Sequence, residues 1–396
     1  MKIAIYSGEI PSTTFVEQLV EGMAARGHEI FLFGKKKAKY GTKNKNIRIF
    51  YFPDNIFIVL LSFMFGIIQA LVFRPFKLHK LIIITSKKRF SSIYYMLKFF
   101  TKYLIVLNNL PDIFHLQWIK QGHDWLFLKE FGVKVIGSFR GAHINYSPIT
   151  NEKLSEIYKC SFPKYDAFHA VSYAIMEEAA KYGADKSKVF RIPGAVKKEL
   201  TEIPINKKKF DFNNRQLKVL SVGREHWIKG YNYALETCLI LKNMGVSFHY
   251  TIVGAKKNEE LLYLIHDLGL EDNVELSDNI PHYKVLSYYI DSDIYLMSSL
   301  MEGIPNVVLE AMAVGVPVIS TDCGGVSEVI KHEKNGWIVP LRDPQAMADI
   351  ICDVLNYKWD LVKIVTNARK TIKDKHLQEY QLGLFEEMYS KILKNK

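Results

Sequence analysis

The stretch from Met301 to Ile330, MEGIPNVVLEAMAVGVPVISTDCGGVSEVI, constrains this chain more than any other. Two carboxylates, Glu302 and Glu310, stand eight residues apart, separated by Gly303-Ile304-Pro305-Asn306 and Val307-Val308-Leu309. Pro305 suits the first turn of a helix, where its missing N–H is an orphan in any case. Glu302 then belongs to the loop ahead of that helix, and Glu310 lies roughly one and a half turns inside it. Free N–H groups at a helix start bind phosphate, whereas carboxylates repel it unless they face hydroxyls instead. A ligand carrying both groups, a sugar nucleotide, fits the combination. A buried amphipathic helix with one surface Glu and one Glu favoured by the helix dipole would show the same two residues. The continuation argues for the ligand: Gly315-Val316-Pro317-Val318-Ile319-Ser320 reads as a short apolar strand, followed by Gly324-Gly325 and Glu328. Helix, strand and glycine turn in that order place a loop at a strand's carboxyl end, where open sheets bind ligands.

The chain has 396 residues, room for two domains of ordinary size, and its 48% apolar content supports full cores. Cys160, Cys238, Cys323 and Cys352 are scattered without a C-x-x-C pair, so neither a zinc site nor a disulfide framework is indicated. A reducing cytosol fits, and Lys2-Ile3-Ala4-Ile5-Tyr6 reads as a strand rather than a secretory signal. The net charge of +12 is uneven: residues 35–110 hold fifteen Lys/Arg against one acid, Asp54, a balance of +14, which leaves −2 (12 − 14) elsewhere. No nucleic-acid motif accompanies this basic region. Its mixture with aromatics fits an anionic membrane surface better, with an ordinary solvated face as the rival. The location expected is cytoplasmic, peripheral on the inner face of the cell membrane.

Ile56–Phe73, IFIVLLSFMFGIIQALVF, is interrupted only by Ser62, Gly66 and Gln69. As a helix it would be about 27 Å long, barely the ~30 Å of a bilayer core. A span would put the strands before and after it on opposite sides of a membrane, although they should share one sheet. A helix that is buried, or that lies in the interface beside the basic residues, is expected instead. Lys87-Lys88-Arg89 and the aromatics Tyr94, Tyr95, Phe99 and Phe100 follow.

The chain opens as a βαβ unit: a strand from Lys2 to Gly8, a helix from about Phe15 to Arg26 closed by Gly27, and a strand from Glu29 to Phe33. It lacks G-x-G-x-x-G, which argues against a nicotinamide-dependent dehydrogenase. Further strands are expected at 133–139, 167–172, 217–222, 250–254, 274–277 and 293–298. The polar segment 206–214, NKKKFDFNN, reads as a linker, and 378–395 as a closing amphipathic helix. Asp291-Ser292-Asp293 lies at a strand start and reads as structural.

The 301–330 run closely resembles the signature of family 4 retaining GT-B glycosyltransferases, EGxPNVxLEAMAxGxPVIxTxxGGxxEV. Further resemblances support it. Gly223-Arg224 and Lys229-Gly230 resemble the family's GR-x-x-x-x-KG, and Pro111-Asp112-Ile113-Phe114-His115 resembles PDxxH. Arg191 to Val196 resembles the IPNGV loop, with Gly194 in the place of Asn. The opening P-S-x-T-F and the F-R-G at 139–141 resemble the exopolysaccharide and colanic-acid-type branch, although His143 replaces its usual Asp. The resemblance implies an α/β fold of GT-B type, two Rossmann-like lobes facing a cleft. It divides the chain into an acceptor domain at 1–204, a donor domain at 215–375 and a returning helix at 376–396.

The resemblance also implies transfer of a sugar, with retention, from a UDP- or GDP-sugar to a lipid-linked or oligosaccharide acceptor, without metal or other cofactor. Glu310 would hold the ribose hydroxyls, and Glu302 hydroxyls of the donor sugar. Arg224 and Lys229 would hold the diphosphate, helped by backbone N–H groups of Gly303, Ile304, Pro305, Asn306 and Val307 as far as each has one. Arg140 stands where many relatives carry a His that contacts the donor sugar. Ser12, Thr13, Thr14 and His143 would face the acceptor. Two rivals keep the same residues in play: a GT-B nucleotide-sugar epimerase, and a catalytically silent membrane scaffold.

Overall fold

The fold was analysed in a computed structural model, which describes residues 1–86 and 90–394. Alternating apolar strands and amphipathic helices assemble into two compact units, each around its own parallel sheet. Lys87, Lys88 and Arg89 lie outside the described residues.

The first unit takes Met1–Ala170, Met176–Ile192 and the chain from Leu382 onward. Its seven strands are β1 (Lys2–Ile10), β2 (Glu29–Lys36), β3 (Ile47–Phe52), β4 (Ile113–Leu116), β5 (Lys134–Phe139), β6 (Ala167–Ala170) and β7 (Val189–Arg191). Their order is β3-β2-β1-β4-β5-β6-β7, all pairs parallel. The order turns back between β1 and β4, which opens a crevice at the carboxyl ends of those strands. Ile3, Ile5, Ile30 and Leu32 bury one sheet face under α1 (Thr14–Ala25), with Val16, Leu19, Val20 and Met23 turned inward. The closing helix Gln378–Lys394 adds Leu382, Phe385, Met388 and Tyr389 to this core.

Between β3 and β4 the chain makes three helices, α2 (Ile56–Phe73), α3 (Pro75–Ser86) and α4 (Ile93–Asn108). The apolar run is a helix, as its composition predicts, and Asn55 caps it by accepting from the Phe57 amide. β3 and β4 do share one sheet.

The second unit takes Val171–Ile175 and Pro193–Gln381. Its strands are β8 (Leu217–Val222), β9 (Phe248–Val253), β10 (Val274–Ser277), β11 (Ile294–Met297), β12 (Val318–Thr321) and β13 (Trp337–Val339), in the order β10-β9-β8-β11-β12-β13. Every pair is parallel, and the order reverses between β8 and β11. Asp293 is structural: it accepts from both terminal nitrogens of Arg215, at 2.7 and 3.0 Å, and from the Lys218 amide. The segment 206–214 is less of a linker than its polarity implies. Phe210 and Phe212 are buried in the core of the second unit, and the chain passes from one unit to the other after Ile192. Two aromatics outweigh seven polar neighbours, because burying apolar area stabilises whatever the composition around it.

Candidate functional site

In the second unit the 301–330 run folds into a loop, the helix Asn306–Val314 and β12. Pro305 occupies the cap position just ahead of the helix rather than its first turn, and its carbonyl accepts from the amides of Val308 and Leu309. A helix start leaves its first amides without intrahelical partners, here those of Asn306 and Val307. Gly303, Ile304 and Pro305 are buried, so this helix end is held by packing. Gly324 braces it. With φ +59 it passes so close to Glu302 that an added Cβ would lie 1.8 Å from the Glu302 carbonyl oxygen. The Gly325 amide then donates to the Gly303 carbonyl at 2.8 Å. The paired glycines therefore fix the loop that carries Glu302.

Across the sheet's switch point, the loop after β8 is tied to the same place. The Leu300 amide donates to the Ile228 carbonyl at 2.7 Å, and the Ser298 hydroxyl to the Lys229 carbonyl at 2.9 Å. Gly230, at φ +60, lets that loop close in, since a Cβ there would sit 2.3 Å from the Ser298 carbonyl oxygen. As a result Lys229 and Glu302, 73 residues apart, form an ion pair of 2.7 Å, both side chains about one-fifth exposed. The Ser299 hydroxyl donates to the same carboxylate oxygen at 3.3 Å. Arg224 lies on the same loop but is exposed and forms no ion pair among the described residues.

Glu310 points from the helix toward the neighbouring helix His282–Asp291. His282 Nε2 bonds one carboxylate oxygen at 2.8 Å and the Tyr289 hydroxyl donates to the other at 3.2 Å. The hydrogen bond to Glu310 raises the His282 pKa above its usual value, against the cost of partial burial. Both motif carboxylates thus have local donors, which offsets the repulsion that two bare carboxylates would exert on a phosphate nearby. Sequence reasoning missed His282, Tyr289 and Ser299. Only the Pro281-His282 helix start offered a signal.

The first unit gathers a different set at the carboxyl ends of β1, β4 and β5. Arg140 follows β5, donates to Gln117 Oε1 at 2.9 Å and lies over the Phe15 ring at 4.2 Å. Trp118 meets Phe15 at 5.8 Å and His143 at 5.5 Å, and its indole N–H donates to the Ser7 carbonyl. Ser12 is half-buried in the loop after β1, while Thr13 and Thr14 are exposed at the start of α1. Thr13 is the cap residue, without a side-chain cap bond. Arg140 Nε, Gln117 Nε2 and His143 Nδ1 are buried without a hydrogen-bond partner among the described residues. Buried polar atoms left that way are costly, and three of them gathered at the strand ends make this a candidate place for a polar group from outside the protein. Burial pushes the Arg140 pKa down to about 9, still charged at neutral pH, and it pushes the His143 pKa down as well.

Behind Arg140 lies a buried chain of hydrogen bonds. His115 bonds the Tyr389 hydroxyl at 2.7 Å and Ser138 Oγ at 2.8 Å; Ser138 bonds His169 at 2.9 Å; His169 Nε2 donates to the Ile192 carbonyl. Burial, with Arg140 nearby, pushes the His115 pKa down to about 3 and that of His169 well below its usual value. Both imidazoles are neutral props beneath the site. Among the described residues no group of three or more His, Cys, Asp or Glu side chains converges as metal ligands would.

Two doubly wound parallel sheets with the motif helix at the second switch point define a GT-B glycosyltransferase, and the chain belongs to the family of glycosyl transferases group 1, whose pattern matches residues 202–371. The amylovoran biosynthesis glycosyltransferase AmsK of Erwinia amylovora is 33% identical over 301 residues, covering 71% of this chain and 72% of that protein. The putative colanic acid biosynthesis glycosyltransferase WcaL of Escherichia coli K12 is 31% identical over 273 residues, 66% of each chain. Among solved structures, sucrose-phosphate synthase from Thermosynechococcus elongatus superposes with a TM-score of 0.76 at 17% identity, covering 100% of both chains. Anabaena Alr3699/HepE in complex with UDP-glucose superposes at 0.71 and 14% identity, covering 99% of this chain and 100% of that one. At such identities the structural likeness concerns the fold.

Proposed function

We propose that the protein transfers a sugar from a nucleotide-diphosphate sugar, UDP- or GDP-linked, to an acceptor hydroxyl with retention at the anomeric carbon, in the assembly of a bacterial exopolysaccharide or glycolipid. The observation that carries this reading is the Lys229–Glu302 pair set beside the amide-bearing start of the helix Asn306–Val314. Lys229, with Arg224 and the amides around Gly303 to Val307, binds the diphosphate and offsets its charge as it leaves, an electrostatic contribution built into the fold. Glu302 accepts from hydroxyls of the donor sugar. Glu310, oriented by His282 and Tyr289, accepts from the ribose hydroxyls. In the reaction the bond from the anomeric carbon to the diphosphate oxygen breaks and its electron pair leaves with the nucleotide. The acceptor oxygen bonds the same face, and its proton passes to the departing phosphate. No metal and no further cofactor take part. His143, with Ser12, Thr13 and Thr14, serves the acceptor, lipid-linked or oligosaccharide, in the first unit, and Arg140 acts beside them as a catalytic residue that meets the transferred sugar. AmsK and WcaL, named for amylovoran and colanic acid biosynthesis, support the polysaccharide setting, and Alr3699/HepE with UDP-glucose supports a nucleotide-sugar donor.

A panel of UDP-, GDP- and ADP-sugars in thermal unfolding tests the donor, since a ligand at ~100 times its dissociation constant stabilises by roughly 2.7 kcal/mol. No shift with any of them overturns the reading. Glu310→Gln weakens nucleotide binding, whereas Glu302→Gln lowers turnover more than nucleotide affinity. NMR of the product made with the responsive donor reads the anomeric configuration. Release of an epimerised sugar without acceptor would identify an epimerase instead.

A further inference from the structure

We infer that the helical insertion between β3 and β4 is a docking face for an anionic lipid bilayer, with α2 lying in the interface plane and its outer surface among the acyl chains. α2 carries no charge over eighteen residues and has a mean hydropathy of 2.7, yet only Val59, Gly66 and Ala70 are buried. Those three lie on one narrow stripe that seats the helix on α4. Gly66 permits the close approach, since an added Cβ would come within 3.2 Å of Leu104 Cβ. Asn108 donates to the Gly66 carbonyl at 3.0 Å and Arg74 to the Leu107 carbonyl at 2.7 Å, so the helix is fixed in place while most of its circumference faces outward. Phe57, Phe65 and Phe73 are each about three-quarters exposed, and Phe76 at the start of α3 is 90% exposed. Of the large apolar side chains exposed among the described residues, more than half fall between Ile56 and Met96. Soluble monomers rarely display so contiguous an apolar surface without a partner for it.

Two observations choose the partner. Charge is the first: residues 35–110 carry +14, and their one acid, Asp54, already meets both Lys98 and Lys35. A second copy of this chain would bring the same positive charge against itself, whereas anionic headgroups attract it. Connectivity is the second. β3 and β4, on either side of the insertion, hydrogen-bond into one sheet, and α2 is the one described helix long and apolar enough to cross. A single crossing would split that sheet across the bilayer. The helix therefore lies along the surface, its narrow buried stripe on α4 and the rest of its apolar circumference in lipid, with the charges that meet the headgroups supplied by the neighbouring basic residues rather than by the helix itself. This inference stands apart from the transfer reaction, and its test has no enzymatic readout.

The intact protein is to be sedimented with vesicles of phosphatidylcholine alone and of phosphatidylcholine with phosphatidylglycerol. Partition onto the anionic vesicles should exceed that onto neutral ones by at least tenfold at low salt. It should fall severalfold between 0.1 and 1 M salt, as the screening length drops from ~10 to ~3 Å. Replacing Phe57, Phe65 and Phe73 together by Ser should cut the partition about tenfold while leaving the unfolding transition and nucleotide binding unchanged. Wild-type protein that stays in the supernatant with both vesicle types overturns the inference, as does equal retention by neutral vesicles. Dimers in sedimentation velocity that the triple substitution dissolves, without vesicle binding, would show that a second copy covers the face.

Discussion

The two units hold their candidate site charges in opposite ways. In the second, each motif carboxylate has a donor on a neighbouring element: Lys229 for Glu302, His282 and Tyr289 for Glu310. In the first, Arg140 meets no carboxylate among the described residues; it rests on a neutral amide and an aromatic face. The carboxylates are therefore partnered within the protein at one site, where Arg224 alone is left over, and at the other the Arg140 guanidinium is without a counter-charge among the described residues. A balanced pair needs no ligand to stabilise it and can be rearranged by one. An unbalanced, half-buried guanidinium beside unpaired polar atoms favours a group that brings negative charge or acceptors with it.

Removing one side of the balanced pair should have the largest effect. Lys229→Ala should slow transfer by about 10²–10³, the scale of losing one preorganised electrostatic stabiliser. It also leaves Glu302, among the described residues, with the Ser299 hydroxyl as its side-chain partner. Steady-state kinetics with the donor identified by thermal unfolding checks this, and near-normal turnover would place the diphosphate elsewhere. Arg140→Gln comes next. Charge-assisted hydrogen bonds are worth ~1.5–3 kcal/mol, so turnover should fall roughly ten- to hundredfold. Nucleotide affinity, read by calorimetry, should stay level. An equal fall in nucleotide affinity would place Arg140 at the nucleotide and erase the contrast between the units.

The sequence discloses the second site better than the first, and the reason is locality. Glu302, Glu310, Pro305 and Gly324-Gly325 fall within one short run, whose backbone contacts are made mostly within itself. The orienting partners His282 and Tyr289 precede it by 28 and 21 residues, on a helix whose face is set only when the sheet forms. In the first unit Phe15, Gln117, Trp118, Arg140 and His143 come from the segments that follow three different strands, and no spacing links them. Most strands are legible as apolar runs, to within a few residues at their ends, but β3, β7 and β13 are not singled out by the sequence. The linker was misread at 206–214, because average polarity conceals two buried phenylalanines.

The buried histidines extend the contrast to acid stability. His115, with its folded pKa near 3, stays neutral in the first unit, while the unfolded chain protonates it near 6.5. A depressed folded pKa of this kind gives stability that is present above the unfolded value and lost as pH falls below it, by up to about 1.4 kcal/mol per pH unit for each such imidazole. His169 acts in the same direction. Urea unfolding followed from pH 7.5 to 5 should therefore show a falling midpoint. A flat profile would mean that His115 and His169 take up protons in the folded state.

His282 should show the opposite sign and the smallest effect. Its folded pKa is raised, first by the hydrogen bond to Glu310, then by the same carboxylate's charge, against burial and the nearby Lys197. A raised pKa contributes stability that is complete below the unfolded value near 6.5 and disappears as pH climbs through the folded one. The imidazole is about half exposed, so solvent screening keeps the contribution below about 1 kcal/mol. The sensitive measurement is the residue's own titration, followed by NMR of its ring protons: a midpoint above 6.5 in the wild type, returning toward 6.5 in Glu310→Gln. Because Tyr289 also holds Glu310, His282→Ala should leave nucleotide affinity within a fewfold of the wild type. A collapse of affinity in that variant would mean that the histidine itself meets the nucleotide, and that the second unit's charges are balanced by its ligand after all.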